Sequence, residues 1–181
     1  MTVTVIGPRN RPDPKAINVT SQGTVFKALS PFFLGPVQLW GGHTARNVEN
    51  AWQFSKVYRE HAGDYATWLD WAMRGWADKR AHRYPMGKGR VPLHVHWDYQ
   101  VLDYVEARKR IYIPLYAAAA YRDPHFHMLR KRYQEEGELT LWDFDAYLHR
   151  NLNYSWDDVI NDPERKMGHG FVLAMMLEGH L

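Results

Sequence analysis

The chain has 181 residues, 45% of them hydrophobic and 24% charged, and Lys plus Arg exceed Asp plus Glu by only three (23 against 20). Those proportions suit one domain with one substantial core and exclude a disordered chain. With no cysteine, disulfides, cysteine zinc sites and thiol catalysis are excluded, and with neither an apolar run near about 20 residues nor a signal-peptide core, a soluble, cytoplasmic protein is expected.

In chain order, residues 1–16 are expected to be an irregular basic arm, because "GPRNRPDPK" sets three prolines among basic residues. The arm reads first as an exposed tail and second as a contact for phosphate. The strands "AINVT" and "VQLW" follow, cut by Gly and Pro. Asn47 is an N-cap for a helix expected to run to about His61. Trp68, Leu69, Trp71, Ala72 and Trp76 recur at helical spacing and predict a second helix from Tyr65 to about Lys79. After the glycine-rich basic loop "RYPMGKGRVP", the stretch "WDYQVLDYVEARKRIYIPLYAAAAYRD" reads as helical, with Pro114 expected to kink or break it. A short helix ending at Gly137, a strand with an acidic turn at "ELTLWDFDAYL", and an apolar helix at "GHGFVLAMMLEGHL" close the chain. The expected fold class is α+β: a single, mainly helical domain over residues 17–181 with a few short strands. No repeat and no linker divides it.

"NVENAWQFSKVY" is apolar nearly all round, yet it keeps Glu49, Gln53 and Lys56. On a helical wheel these three fall within about 60° of one another. Glu49 and Lys56 are too far apart for an ordinary helix pair, but Gln53 is placed to bridge them. A helix kept only for solubility would carry a broad charged face instead. The bland alternative is a carboxylate near a helix start with chance polar neighbours.

The motifs around this helix, taken in order, resemble the NADAR family of YbiA-like N-glycosidases. Ile17-Asn18 matches that family's "INFY" strand, and Leu29-Ser30-Pro31-Phe32 its "FSNF" loop. Glu49, Gln53 and Lys56 match its E-H-x-(F/Y)-Q-x-x-K helix with the same spacing. Gly89-Arg90 matches the basic loop, Asp145-Ala146-Tyr147 the acidic segment, and Gly168 to Met176 the last helix. Pro31 departs from the loop Asn and Asn50 from the His after Glu. The acidic segment lacks its Trp-Gly, unless Trp142 takes that place.

The resemblance implies cleavage of an N-glycosidic bond at ribose C1′ in a cytoplasmic enzyme of a bacterial cell or phage-infected host. It implies a small phosphorylated nucleotide or an ADP-ribosyl ligand as partner, and no cofactor. In these terms Glu49 stabilises or deprotonates at the sugar, and Lys56 is nucleophile or ribose-orienting cation. Asp145 activates water or protonates the leaving base, with Asp143 competing for that role. Gln53 positions a ribose hydroxyl. Ser30, Phe32 and Trp52 wall the pocket, Arg90 binds phosphate, and Gly168 belongs to the substrate-binding set. For Phe32 and Trp52 the alternative is plain core packing, and for Arg90 a solvated loop charge.

His94 with His96, and His125 with His127, form two His-x-His pairs, but no third ligand has a spacing that selects it, so no metal is expected. No P-loop or serine-hydrolase elbow is present. "RKRIY" and "LRKRY" interleave basic and aromatic residues and read first as solvated helix faces. They also support the alternative function: a non-catalytic protein that binds DNA or RNA, or recognises a modified base, in phage DNA modification. Eight Trp and eleven Tyr serve as core fillers, leave room for a homodimer face, and suit pockets for flat ligands.

Overall fold

Alternation of Val and Thr at the start of the chain builds a strand, not the irregular arm expected there. A computed structural model describes residues 1–181. In order it contains β1 (Thr2–Ile6), β2 (Ile17–Asn18), β3 (Val37–Gln38), β4 (Thr44–Ala45), α1 (Val48–Phe54), β5 (Lys56–Val57) and α2 (Tyr65–Ala77). These are followed by β6 (His94–Trp97), β7 (Gln100–Leu102), α3 (Tyr104–Ala107), a π-helical segment Arg108–Tyr112, and α4 (Ile113–Arg122). Then come α5 (Pro124–Glu136), β8 (Glu138–Trp142), α6 (Trp156–Asn161) and α7 (His169–Glu178). The class is α+β. No helix is long and apolar enough to cross a membrane. The chain forms two compact units, Met1–Ser30 with Tyr116–Leu181, and Pro31–Leu115.

In the first unit β8 is the central strand of a parallel sheet ordered β1-β8-β2. Val3 pairs with Leu139 and Val5 with Leu141, and all four are buried. Thr2, Thr4 and Thr140 point to the other, wetter face, as the two-residue period requires. Only Ile17 and Asn18 of "AINVT" are strand. Helix α7 packs on β1 and β8 and is buried on nearly every side, Phe171, Leu173 and Met175 included. Each such side chain contributes about 1.5–3 kcal/mol of burial. Asp123 caps α5 by accepting from the His125 N–H at 2.8 Å, with Pro124 in the first turn. Gly137 ends the helix at φ 75°, where a side chain would be strained.

The second unit has an antiparallel pair β3-β4 and an antiparallel sheet β5-β6-β7. Asp64 caps α2 through the Ala66 and Thr67 N–H groups. Of the five residues whose spacing predicted this helix, Trp68, Ala72 and Trp76 are on its buried face, while Leu69 and Trp71 are half-buried. The Phe54 ring fills the space where Gly75 would carry a Cβ, so α1 and α2 approach closely there.

Three helical expectations change. Helix α1 ends at Phe54, not near His61: the Ser55 hydroxyl donates to the Ala51 carbonyl at 2.7 Å, and Lys56–Val57 leave the helix to pair with β6. The start of the long helix expected after residue 97 is instead the β6–β7 hairpin, with Trp97 opposite Gln100 across a two-residue turn. Pro114 does not break the helix that follows. Lacking an N–H, it cannot make the usual bond, and the π-helical segment before it absorbs the change: the Ile113 N–H donates to the Arg108 carbonyl.

Candidate functional site

The second unit assembles the polar line of α1. The N–H groups of Val48 and Glu49 donate to the carbonyls of Leu34 and Pro31, each at 2.9 Å. These bonds fix the loop that carries Phe32, which is half-buried. The Asn47 side chain accepts from the Asn50 N–H at 2.8 Å, confirming the cap. All seven residues of α1 are buried, Glu49 with them at 5% exposure.

The Gln53 amide donates to Glu49 Oε1 at 3.0 Å and accepts from Lys56 Nζ at 2.7 Å. Carboxylate, amide and amine therefore form one hydrogen-bonded chain. Lys56 reaches it from β5, beyond the helix end, because the strand turns its side chain back. Its ammonium also lies 4.7 Å from the centre of the Trp52 ring. Trp52 is 8% exposed and contacts Tyr112 and Tyr104, with ring centres at 5.3 and 6.0 Å.

Asn50, beside Glu49 on α1, is fully buried and serves the backbone. Its Nδ2 donates to the carbonyls of Asp78 and Arg80 at 3.0 and 2.8 Å, and its Oδ1 accepts from the His82 N–H at 2.9 Å. One side chain thus pins the segment after α2 to α1. Arg90 is half-exposed and ion-paired with Glu60. The Tyr58 phenol is pushed up by burial, an effect the nearby Arg90 charge opposes.

Ser30, Asp145 and Gly168 belong to the first unit. Ser30 is 2% exposed and ends the 3-10 turn Val25–Leu29, its N–H donating to the Lys27 carbonyl at 3.0 Å. The neighbouring Leu29 carbonyl accepts from the Tyr116 hydroxyl at 2.6 Å. Burial, with the charges of Asp143 and Asp123 adding, raises the Tyr116 phenol well above its ordinary value.

The two acids named for one role sit differently. Asp143 is 2% exposed. Its Oδ2 accepts from the Gly170 N–H at 2.9 Å, and its Oδ1 lies 3.4 Å from His169 Nδ1. It therefore holds the start of α7, and a Cβ on Gly168 would collide with it. His169 Nε2 donates to the Val19 carbonyl at 2.8 Å. Asp145 is partly exposed, with its carboxylate 3.7 Å from Lys166 Nζ.

Sequence reasoning missed one charged group. Arg108, taken as part of a solvated face, is 1% exposed, with its guanidinium 4.7 Å from the centre of the Tyr104 ring. No spacing signals this, because the π-helical register rotates the residues away from a normal wheel. The other basic residues of that segment, Lys109 and Arg110, are exposed. His94 and His96 do share a face of β6, with rings 4.8 Å apart, but no three metal-ligating side chains come together.

A small α+β protein with a buried carboxylate–amide–amine chain is the class these features define. Residues 7–155 match a family of unknown function, DUF6939, and the chain belongs to that family. No curated protein and no solved structure matches it.

Proposed function

We propose that the protein is an N-glycosidase-type hydrolase with a NADAR-like fold, acting at ribose C1′ of a nucleotide, ADP-ribosyl or modified-base substrate. One observation carries this: the Glu49 carboxylate is kept in a buried helix and tied through Gln53 to Lys56. Taking a charge out of water costs several kcal/mol, and apolar replacements are often at least as stable. A chain that retains such a group has a use for its charge.

The chemistry fits the groups. Breaking the C1′–N bond leaves positive, oxocarbenium-like character on the sugar, and a carboxylate in a water-poor setting stabilises it. Water oxygen then bonds to C1′, and the proton it loses balances the one gained by the leaving base. Gln53 orients a ribose hydroxyl. Lys56 either holds substrate phosphate as a cation or, as the free amine, forms a Schiff base with opened ribose. Trp52, backed by Tyr104 and Tyr112, offers a flat wall. The competing nucleic-acid-binding function draws less support from the side chains: on α5, Lys131 pairs with Glu135 and Arg132 with Glu136.

The test is a panel of nucleoside monophosphates, ribosylamine phosphates and ADP-ribosylated guanosine, followed by mass spectrometry for free base. Wild type releases base from at least one of them. Glu49→Gln and Lys56→Ala remain folded by circular dichroism and lose about 100-fold or more of the rate. Variants that lose stability but keep the activity would make the polar chain architectural. DNA binding with a steep salt dependence and no product would favour the binding module.

A further inference from the structure

Within the second unit, Trp40 Nε1, Trp76 Nε1 and Tyr65 Oη are buried and hydrogen-bonded to nothing. Buried polar groups are almost always paired, so three idle donors in one region call for an explanation. All three belong to a continuous set of ring contacts. Trp40 meets Trp76 at 6.4 Å and Tyr99 at 5.3 Å between centres, and Tyr65 stacks on Tyr99 at 6.0 Å and 25°. Neither Trp52 nor its ring neighbours Tyr104 and Tyr112 takes part, so this cluster is separate from the polar chain of α1.

The outer member is unusual in two respects. Tyr99 is 78% exposed although its ring touches both Trp40 and Tyr65. It also occupies the second turn position of the β6–β7 hairpin, where Asp98 and Tyr99 have φ of 49° and 60°. That turn favours Asn-Gly or Asp-Gly. Asp tolerates a left-handed backbone, whereas a tyrosine there is strained, and such strain clusters at ligand clamps. The sequence therefore keeps an aromatic ring at the hairpin tip against the backbone's preference. The Tyr65 phenol stays protonated and able to donate, since burial pushes it up and Tyr99 and Asp98 add to the effect.

We infer that this cluster is a second ligand site, taking a purine or pyrimidine base stacked on Trp40 beneath Tyr99, with its ring nitrogens and carbonyl oxygens accepting from the idle indole and phenol donors. A nucleobase suits both features. It has a π-face for the rings, and edge acceptors that need no charge to be recognised. Tyr99 is the clamp, and the two-residue turn is the element that moves it.

The experiment titrates adenosine and uridine into protein carrying 15N-labelled tryptophan and follows the indole N–H resonances. Saturable shifts of the Trp40 and Trp76 signals are expected, and Tyr99→Phe preserves them. Tyr99→Gly relieves the turn, so its Tm equals or exceeds that of wild type, while nucleoside binding weakens about tenfold through the lost stacking partner. Glu49→Gln titrates like wild type. Absence of saturable shifts with either nucleoside overturns the inference, because the idle donors are then met by water alone. Unchanged affinity in Tyr99→Gly overturns it as well. Loss of binding in Glu49→Gln would seat the nucleoside at α1 and overturn it too.

Discussion

Replacing Gln53 with Leu probes the link on which the polar chain depends. Leu is of similar size and stays in a position 9% exposed, so the change removes hydrogen bonds with little change of volume. Two are lost: the 3.0 Å bond to the Glu49 carboxylate and the 2.7 Å bond from Lys56. A hydrogen bond to a buried charge is worth about 1.5–3 kcal/mol. The Lys56 bond is worth less, near 1 kcal/mol, because that side chain is only half-buried. Extra apolar burial by Leu returns about 1–2 kcal/mol. The net expectation is a loss of about 2 kcal/mol, or about 4–8 °C in Tm for a chain of this size. Urea unfolding at neutral pH measures it. A cycle with Lys56→Met should show coupling of at least about 0.5 kcal/mol. A Gln53→Leu protein as stable as wild type, with no coupling, would refute the idea that a buried charge is being held by a neighbouring amide.

Further expectations concern other groups. Burial lowers the pKa of His61, His94 and His96, with His94 and His61 charges adding at His96. Below the ordinary value of about 6.5 the unfolded chain therefore binds protons that the folded one does not. Stability should fall as pH drops from about 7 through 6 and level off below the folded pKa values; a melting temperature that holds or rises on this descent contradicts the burial of these rings. Asn50→Ala strands two carbonyls and one N–H, and calorimetry should show a loss of about 3 kcal/mol, whereas a loss under about 1 kcal/mol would mean that the segment after α2 is held by other means.

Where local chemistry decides an element, the sequence declared it. The Trp/Ala spacing announced α2, Gly137 the end of α5, and an unbroken apolar run α7. The chain Glu49–Gln53–Lys56 was legible from spacing alone, although for a partly mistaken reason, since Lys56 lies on β5. What stayed hidden depended on distant partners or special backbone. β1 exists because β8, more than 130 residues later, pairs with it. The β6–β7 turn carries Asp98-Tyr99 instead of a glycine signal, so its strands merged with the helix that follows. The π-helical register that buries Arg108 has no periodic signature. Asp143 looked like the equal of Asp145 until its carboxylate was seen to hold the start of α7.

The central claim is sugar chemistry driven by the Glu49 carboxylate, and isotope labelling tests it most directly. The most readily cleaved riboside is turned over in water enriched in oxygen-18, and both products are weighed by mass spectrometry. The account predicts one heavy oxygen on the released sugar at C1′, none on the base, and both products formed about 100-fold or more slowly with Glu49→Gln. Label on the base, or undiminished release by a folded Glu49→Gln protein, would contradict it.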